Sequence, residues 1–134
     1  MLDYFLDKFF FVFHTGLIFF NLFGWVWKKT RLVHLVVISL TALSWFGLGI
    51  WYGFGYCPST DWHWQVRTRL GYYDLPDSYL QFLFEHLTGQ RVAARLVDIV
   101  AVSALLLALG ISVFTNYRDR RQRSWDHREK KRFQ

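Results

Sequence analysis

Five histidines and a single cysteine are the side chains in this sequence best suited to hold a metal, a cofactor or a proton. His14 and His34 lie in strongly apolar stretches. There an imidazole serves as a hydrogen-bond partner, a metal ligand or an axial haem ligand. With a helical rise of about 1.5 Å per residue, His14 stands roughly 21 Å above Lys28, and His34 about one turn from Arg31. A depth difference of roughly 15 Å argues against both residues ligating one haem, so each stands as a separate candidate cofactor ligand. Cys57, His63 and His86 form a second set, one thiolate and two imidazoles, that would suit a soft metal, though their spacing matches no zinc pattern. Glu85 and His86 offer an acid and a base, but no nucleophile or second carboxylate completes a hydrolase, and no phosphate loop is present. The chain is therefore read as non-catalytic, with no cofactor expected.

The elements that must position these residues follow from where the charges fall. Of the 134 residues, 53% are hydrophobic and 21% aromatic. No Asp, Glu, Lys or Arg occurs from Phe9 to Trp27, from Leu32 to Thr60, or from Ile99 to Tyr117. Each window matches the roughly 20 helical residues that cross a hydrocarbon core of about 30 Å. The expected fold is an all-α integral membrane protein. Its three transmembrane helices run over about 4–27, 31–56 and 90–117, and two short interfacial helices lie within 59–89. A basic tail covers 118–134. Ser59 or Thr60 is the expected cap of the first short helix and Asp77 of the second, with Gly71 and Gly89 as stop signals. No cleavable leader is expected, since Asp3 and Asp7 outweigh Lys8 ahead of the first apolar run.

Packing candidates come from the same count. His14, Ser44 and Ser103 reach a similar depth on their helices and are expected to meet in an interhelical hydrogen bond. The sharper alternative makes His14 a ligand. Gly49 and Gly53 form a G-x-x-x-G pair that lets a neighbouring backbone approach; the plainer reading is that they loosen the helix end before Pro58. Arg95 and Asp98, at i and i+3, are read as an ion pair.

Five segments, His14, Arg31-x-x-His34, Trp45, Gly55-x-Cys57-Pro58-Ser59-Thr60 and Arg69-Leu70-Gly71-Tyr72, together with Tyr79 to His86, carry a likeness to a known family. The chain resembles the small membrane proteins grouped as domain of unknown function 2784, from Leu2 to about Thr115. It departs from that pattern where Ser59 replaces a leucine and where an acidic residue after the threonine is not clearly matched. The resemblance implies a bacterial inner-membrane location and no known activity.

The formal net charge of +6 does not call for nucleic acid. Its cations sit at Lys28, Lys29 and Arg31 and from Arg118 to Arg132, beside the apolar windows, where membrane topology places them. The expected partners are membrane lipids and other integral membrane subunits or further copies of the chain. The leading functional expectation is a small inner-membrane accessory or scaffold subunit of a larger assembly. It rests on an aromatic, glycine-bearing surface and a bundle too small to enclose a substrate path. The alternative is a cofactor- or lipid-handling protein, such as an accessory redox subunit, using the intramembrane histidines and the Cys57 segment. The two charge clusters agree on one orientation, with the N-terminus and 57–89 outside and the Lys28 loop and tail in the cytoplasm. Single-cysteine probes in a chain lacking Cys57 test this: an impermeant reagent should label 57–89 in intact cells. Labelling of the Arg118 to Arg132 tail under those conditions would overturn the topology.

Overall fold

The computed structural model describes residues 1–133, so Gln134, the last residue of the expected tail, lies outside the described residues. Among them every regular element is helical. Three helices are long and apolar enough to cross a membrane: α1 (Leu2–Phe23), α2 (Arg31–Tyr52) and α5 (Ala94–Arg132). Two shorter ones, α3 (Pro58–Arg69) and α4 (Tyr79–Thr88), connect α2 to α5.

The boundaries differ from the sequence expectation where local chemistry intervenes. Helix α1 stops at Phe23, short of residue 27, because Gly24 begins a set of turns. There the Trp25 indole donates to the Leu22 carbonyl at 2.7 Å, and the Thr30 hydroxyl donates to the Gly24 carbonyl at 2.7 Å. Helix α2 ends at Tyr52, not Tyr56, since Gly53 takes φ +104, a left-handed geometry open mainly to glycine. A π-helical turn over Ser44–Leu48 interrupts α2. Helix α5 begins at Ala94 and continues unbroken to Arg132, because no glycine or proline follows Gly110 and the tail is built of good helix formers. The caps of the short helices also shift. Cys57 caps α3 with Pro58 at the first helical position, a place where its missing N–H costs nothing. Ser78, not Asp77, caps α4, its hydroxyl accepting from the Gln81 amide at 3.2 Å.

Packing closes the bundle at one end. Helices α2 and α5 meet around Ile38, Leu105 and Ala108, flanked by Ala42, Trp45 and Leu109. Toward the Lys28 loop the same helices are tied by polar contacts. The His34 ring is fully buried, with Nε2 2.9 Å from the Asn21 carbonyl and Nδ1 2.9 Å from Ser112 Oγ. A carbonyl only accepts, so Nε2 carries the hydrogen, and in the neutral ring Nδ1 accepts the serine hydroxyl. Arg31 donates twice to Asp119, at 2.8 and 2.9 Å, and through Nε to the Trp25 carbonyl at 3.0 Å. Asn116 donates to the Arg31 carbonyl. At the other end α3 lies against α1 and α4 against α5, so the short helices fold over the opening of the bundle.

Close approach at the α1–α2 junction depends on Gly24. A Cβ there would stand 2.7 Å from the His34 ring and 2.7 Å from the Phe20 carbonyl. Gly24→Ala should therefore cost about 1–3 kcal/mol, the range for overpacking. Gly16→Ala is the control, since a Cβ at Gly16 meets nothing within 4 Å. Thermal unfolding in detergent should fall for the first variant and hold or rise for the second.

Candidate functional site

The first buried polar group above the core is a cluster that fastens α3 to α1. His63 is fully buried, and its Nε2 lies 2.9 Å from Asp7 Oδ1. Arg67 donates to the same oxygen at 3.1 Å. Phe10, Trp64 and Phe82 pack about the imidazole. Arg67 also lies over the rings of Tyr72 and Phe82, at 4.4 and 4.7 Å. Burial pushes the His63 pKa down, and the nearby Asp7 carboxylate only partly opposes this. Because Arg67 balances the charge of Asp7, the imidazole stays neutral and donates through Nε2. Its Nδ1 is left buried without a partner.

Tyr79, at the start of α4, joins this cluster to the bundle. Its hydroxyl donates to the Phe11 carbonyl at 3.0 Å and lies 3.1 Å from Thr15 Oγ1, which donates in return. Burial raises the Tyr79 pKa, so the phenol keeps its hydrogen. The His14 ring stacks on Tyr79 with centroids 4.1 Å apart and planes 9° from parallel.

His14 then forms part of the wall of a cavity of about 1300 Å³. The volume exceeds the roughly 300–1,000 Å³ of sites for drug-sized ligands. Helix α1 contributes His14, Ile18 and Asn21; α2 contributes Thr41, Ser44, Trp45 and Trp51; α5 contributes Val97, Ala101, Ala104 and Leu105. Cys57, Ser59 and Trp62 close it on the α3 side, with Tyr79, Leu83 and Leu87 from α4. The π-helical turn supplies Ser44, Trp45, Gly47 and Leu48 to the wall. Such turns recur at functional sites because they displace side chains from the regular register.

Six buried side-chain polar atoms lack a partner among the described residues, and three belong to residues on this wall: His14 Nδ1, Asn21 Oδ1 and Ser59 Oγ. Each of the three exposes less than 1 Å², so they lie behind the wall surface and are not open to the cavity.

The sequence candidates distribute as follows. His14, Ser44 and Ser103 do not meet: Ser44 Oγ donates to the Tyr56 carbonyl at 2.9 Å, and the exposed Ser103 donates back to Ile99 at 2.7 Å. Helix α4 places Tyr79 beside His14. His34 has both nitrogens engaged and no lone pair free for a cofactor. Cys57, His63 and His86 are not brought together. Cys57 borders the cavity, His63 pairs with Asp7, and His86 is exposed against Phe11 and Phe82. Among the described residues no three His, Cys, Asp or Glu side chains gather as a metal site. Arg95 and Asp98 are exposed and form no ion pair, while Arg91 pairs with Asp74 at 3.5 Å. Gly49 admits the turn at Phe54, and nothing lies within 4 Å of a Cβ on Gly53, so within the chain this pair ends a helix and packs no helix backbone.

Sequence reasoning missed Asp7 with Arg67 and Arg31 with Asp119. The available signal was an acid buried in an apolar helix, which demands a partner. The lowered pKa gives His63 a sign in stability. Unfolding lets the ring protonate more readily, so its contribution is full above the ordinary value of 6.5 and is lost as pH falls below that and through the lower folded value. Unfolding midpoints should drop between pH 7 and 5, and His63→Asn should flatten that dependence. An unchanged slope in the variant would remove His63 from the account.

The chain matches, over residues 4–115, the model of the family described as Protein of Unknown function (DUF2784), and it belongs to that family. No curated protein and no solved structure matches it.

Proposed function

We propose that this protein is a lipid-binding membrane protein that holds a lipophilic molecule in the cavity between its spanning helices. The observation that carries the reading is a lipid-sized, largely apolar cavity lined by all three long helices. Exposed apolar side chains, among them Leu43, Trp51, Leu87 and Leu96, edge the cavity, so its mouth faces hydrocarbon in a bilayer. The placement of cations favours a cytoplasmic Lys28 loop and tail. The cavity then lies in the outer half of the bacterial inner membrane, with α3 and α4 at the interface.

A second reading, a subunit of a larger membrane assembly, is supported by the outward stripe of Phe5, Phe9 and Phe13 on α1, all exposed and away from the cavity wall. Such a face suits a partner helix or lipid tails. The two readings are compatible, since a bound lipid and a lateral partner occupy different faces.

Filling the cavity tests the first reading. Ala101→Phe and Ala104→Phe place rings in it from α5. Purified in mild detergent, the native protein should retain lipid visible by native mass spectrometry. The double variant should lose it while unfolding at the same temperature or higher. Equal retention in both would overturn the proposal.

A further inference from the structure

We infer that a girdle of basic side chains at the Lys28 end of the bundle binds the anionic phospholipid headgroups of the leaflet beside it. With the three long helices across a bilayer, this holds whatever the cavity contains. The charge of the chain is concentrated at this end. Residues 24–31 and 116–132 include eleven of the sixteen Lys and Arg residues but three of the ten Asp and Glu residues. At the opposite end three of the four arginines are answered locally, Arg67 by Asp7, Arg69 by Asp3 and Arg91 by Asp74. Among the described residues Arg31 alone of the eleven cations has an ion pair, with Asp119 at 2.8 Å.

That bond also sets the level of the two basic segments. It brings the first turn of the tail beside the Lys28 loop, where the Asn116 side-chain amide donates to the Arg31 carbonyl at 3.0 Å. Lys28 and Arg118 both stand close enough to bear on the Asp119 carboxylate. Arg118, Arg120 and Arg121 lie within about 3 Å of Asp119 along the helix axis. Together with Lys28 and Lys29 they form an exposed girdle at one height. Trp27 and Tyr117, also exposed, sit at its apolar edge, the place of interfacial aromatics. The girdle is then at the depth of the lipid phosphates, which lysine and arginine hold through charge-assisted hydrogen bonds. A zwitterionic head adds an ammonium that these cations repel, so a net anionic lipid is preferred.

The outer turns of the tail do not share this setting. No glycine or proline follows Gly110, and α5 continues unbroken. Arg128 to Arg132 therefore lie roughly 16 to 22 Å beyond Tyr117 along the helix. That is about two Debye lengths at physiological ionic strength, so their attraction to the surface is screened. Nor does the tail have a face to lie flat in the interface, since Trp125 is the one apolar side chain from Arg118 to Arg132.

Native mass spectrometry of the whole chain in uncharged detergent tests this, with equimolar phosphatidylglycerol and phosphatidylcholine bearing identical acyl chains. In about 0.1 M salt the protein should carry the anionic lipid at least about tenfold more than the zwitterionic one. The ratio should fall below about threefold near 1 M, as the Debye length shrinks from about 10 to 3 Å. Lys28→Gln, Lys29→Gln, Arg118→Gln, Arg120→Gln and Arg121→Gln together leave the Arg31–Asp119 bond in place and should bring the ratio within about twofold of unity. Arg128→Gln, Lys130→Gln, Lys131→Gln and Arg132→Gln together should keep at least about half of it. Should the five-residue variant not fold, Lys28→Gln with Lys29→Gln, on an exposed loop, should still lower the ratio by about threefold or more. A ratio near one at low salt, or one that salt leaves unmoved, would overturn the inference. So would a ratio lost in the outer-turn variant as fully as in the girdle variant, which would point to an acidic macromolecule in the aqueous phase. An occupant of the cavity adds equally to both lipids, so Ala101→Phe with Ala104→Phe should leave the ratio unchanged. Collapse of the ratio on filling the cavity would move the selection there and overturn the girdle, while loss of bound lipid without a change in ratio bears on the cavity alone.

Discussion

A polar side chain placed between apolar helices must find a partner, and this requirement fixes how the three long helices sit. At the Lys28 end, His34 bridges the Asn21 carbonyl of α1 to Ser112 of α5, while Arg31 grips Asp119 and the Trp25 carbonyl. Every ring nitrogen of His34 is used there, so the network is closed, and closed networks rigidify. At the other end Asp7, His63 and Arg67 lock α3 across α1. Hydrocarbon packing alone supplies little preference between one apolar helix face and another inside a bilayer. The polar ties therefore set the register, and the small apolar core of Ile38, Leu105 and Ala108 fills the space they define.

The cavity lies between the three long helices, each of which contributes to its wall. Leu105 belongs to both: it packs with Ile38 and Ala108 below and forms part of the cavity wall above. Small residues on α5, Ala101 and Ala104, keep the space open where larger side chains would fill it. The π-helical turn in α2 falls opposite them and brings Trp45 and Gly47 to the wall. His14 is held in place by stacking on Tyr79, whose hydroxyl is in turn fixed by Phe11 and Thr15. The ring is thus oriented without using its nitrogens.

Much of the fold was legible because helices long and apolar enough to span a membrane write themselves in runs of uncharged residues. The three long helices and the two short ones were all expected, and Gly71 and Gly89, with φ of +92 and +68, end α3 and α4 as read. Less legible was which polar residues would meet. Depth along a helix can be counted from sequence, but rotation about its axis and the return path of α4 cannot, so His14 was matched to Ser44 and Ser103 when Tyr79 was to occupy that space. The ion pair read at Arg95 and Asp98 failed for a related reason. Near a helix start both side chains reach water, where a neighbouring opposite charge contributes little. Asp7 was weighed only as part of the N-terminal charge, although an acid on an apolar helix already signalled a buried cation or imidazole.

The unpartnered buried atoms depart from this economy of satisfied polar groups, and they are not confined to the cavity residues: His63 Nδ1 and Arg67 Nε lie in one of the ties and Gln81 Oε1 on α4. At the Lys28 end both ring nitrogens of His34 are paired, one of them by a single serine hydroxyl. His14 Nδ1, Asn21 Oδ1 and Ser59 Oγ belong to cavity-lining residues but are themselves sealed, each exposing less than 1 Å². Leucine or alanine at these positions would remove the cost of burying an unmet polar atom, on the order of 1–3 kcal/mol each. Two of these residues also make structural contacts, Asn21 by donating to Thr41 Oγ1 at 3.1 Å and His14 by stacking on Tyr79. What a bound molecule meets in the cavity is therefore its apolar surface, which a hydrocarbon chain fills.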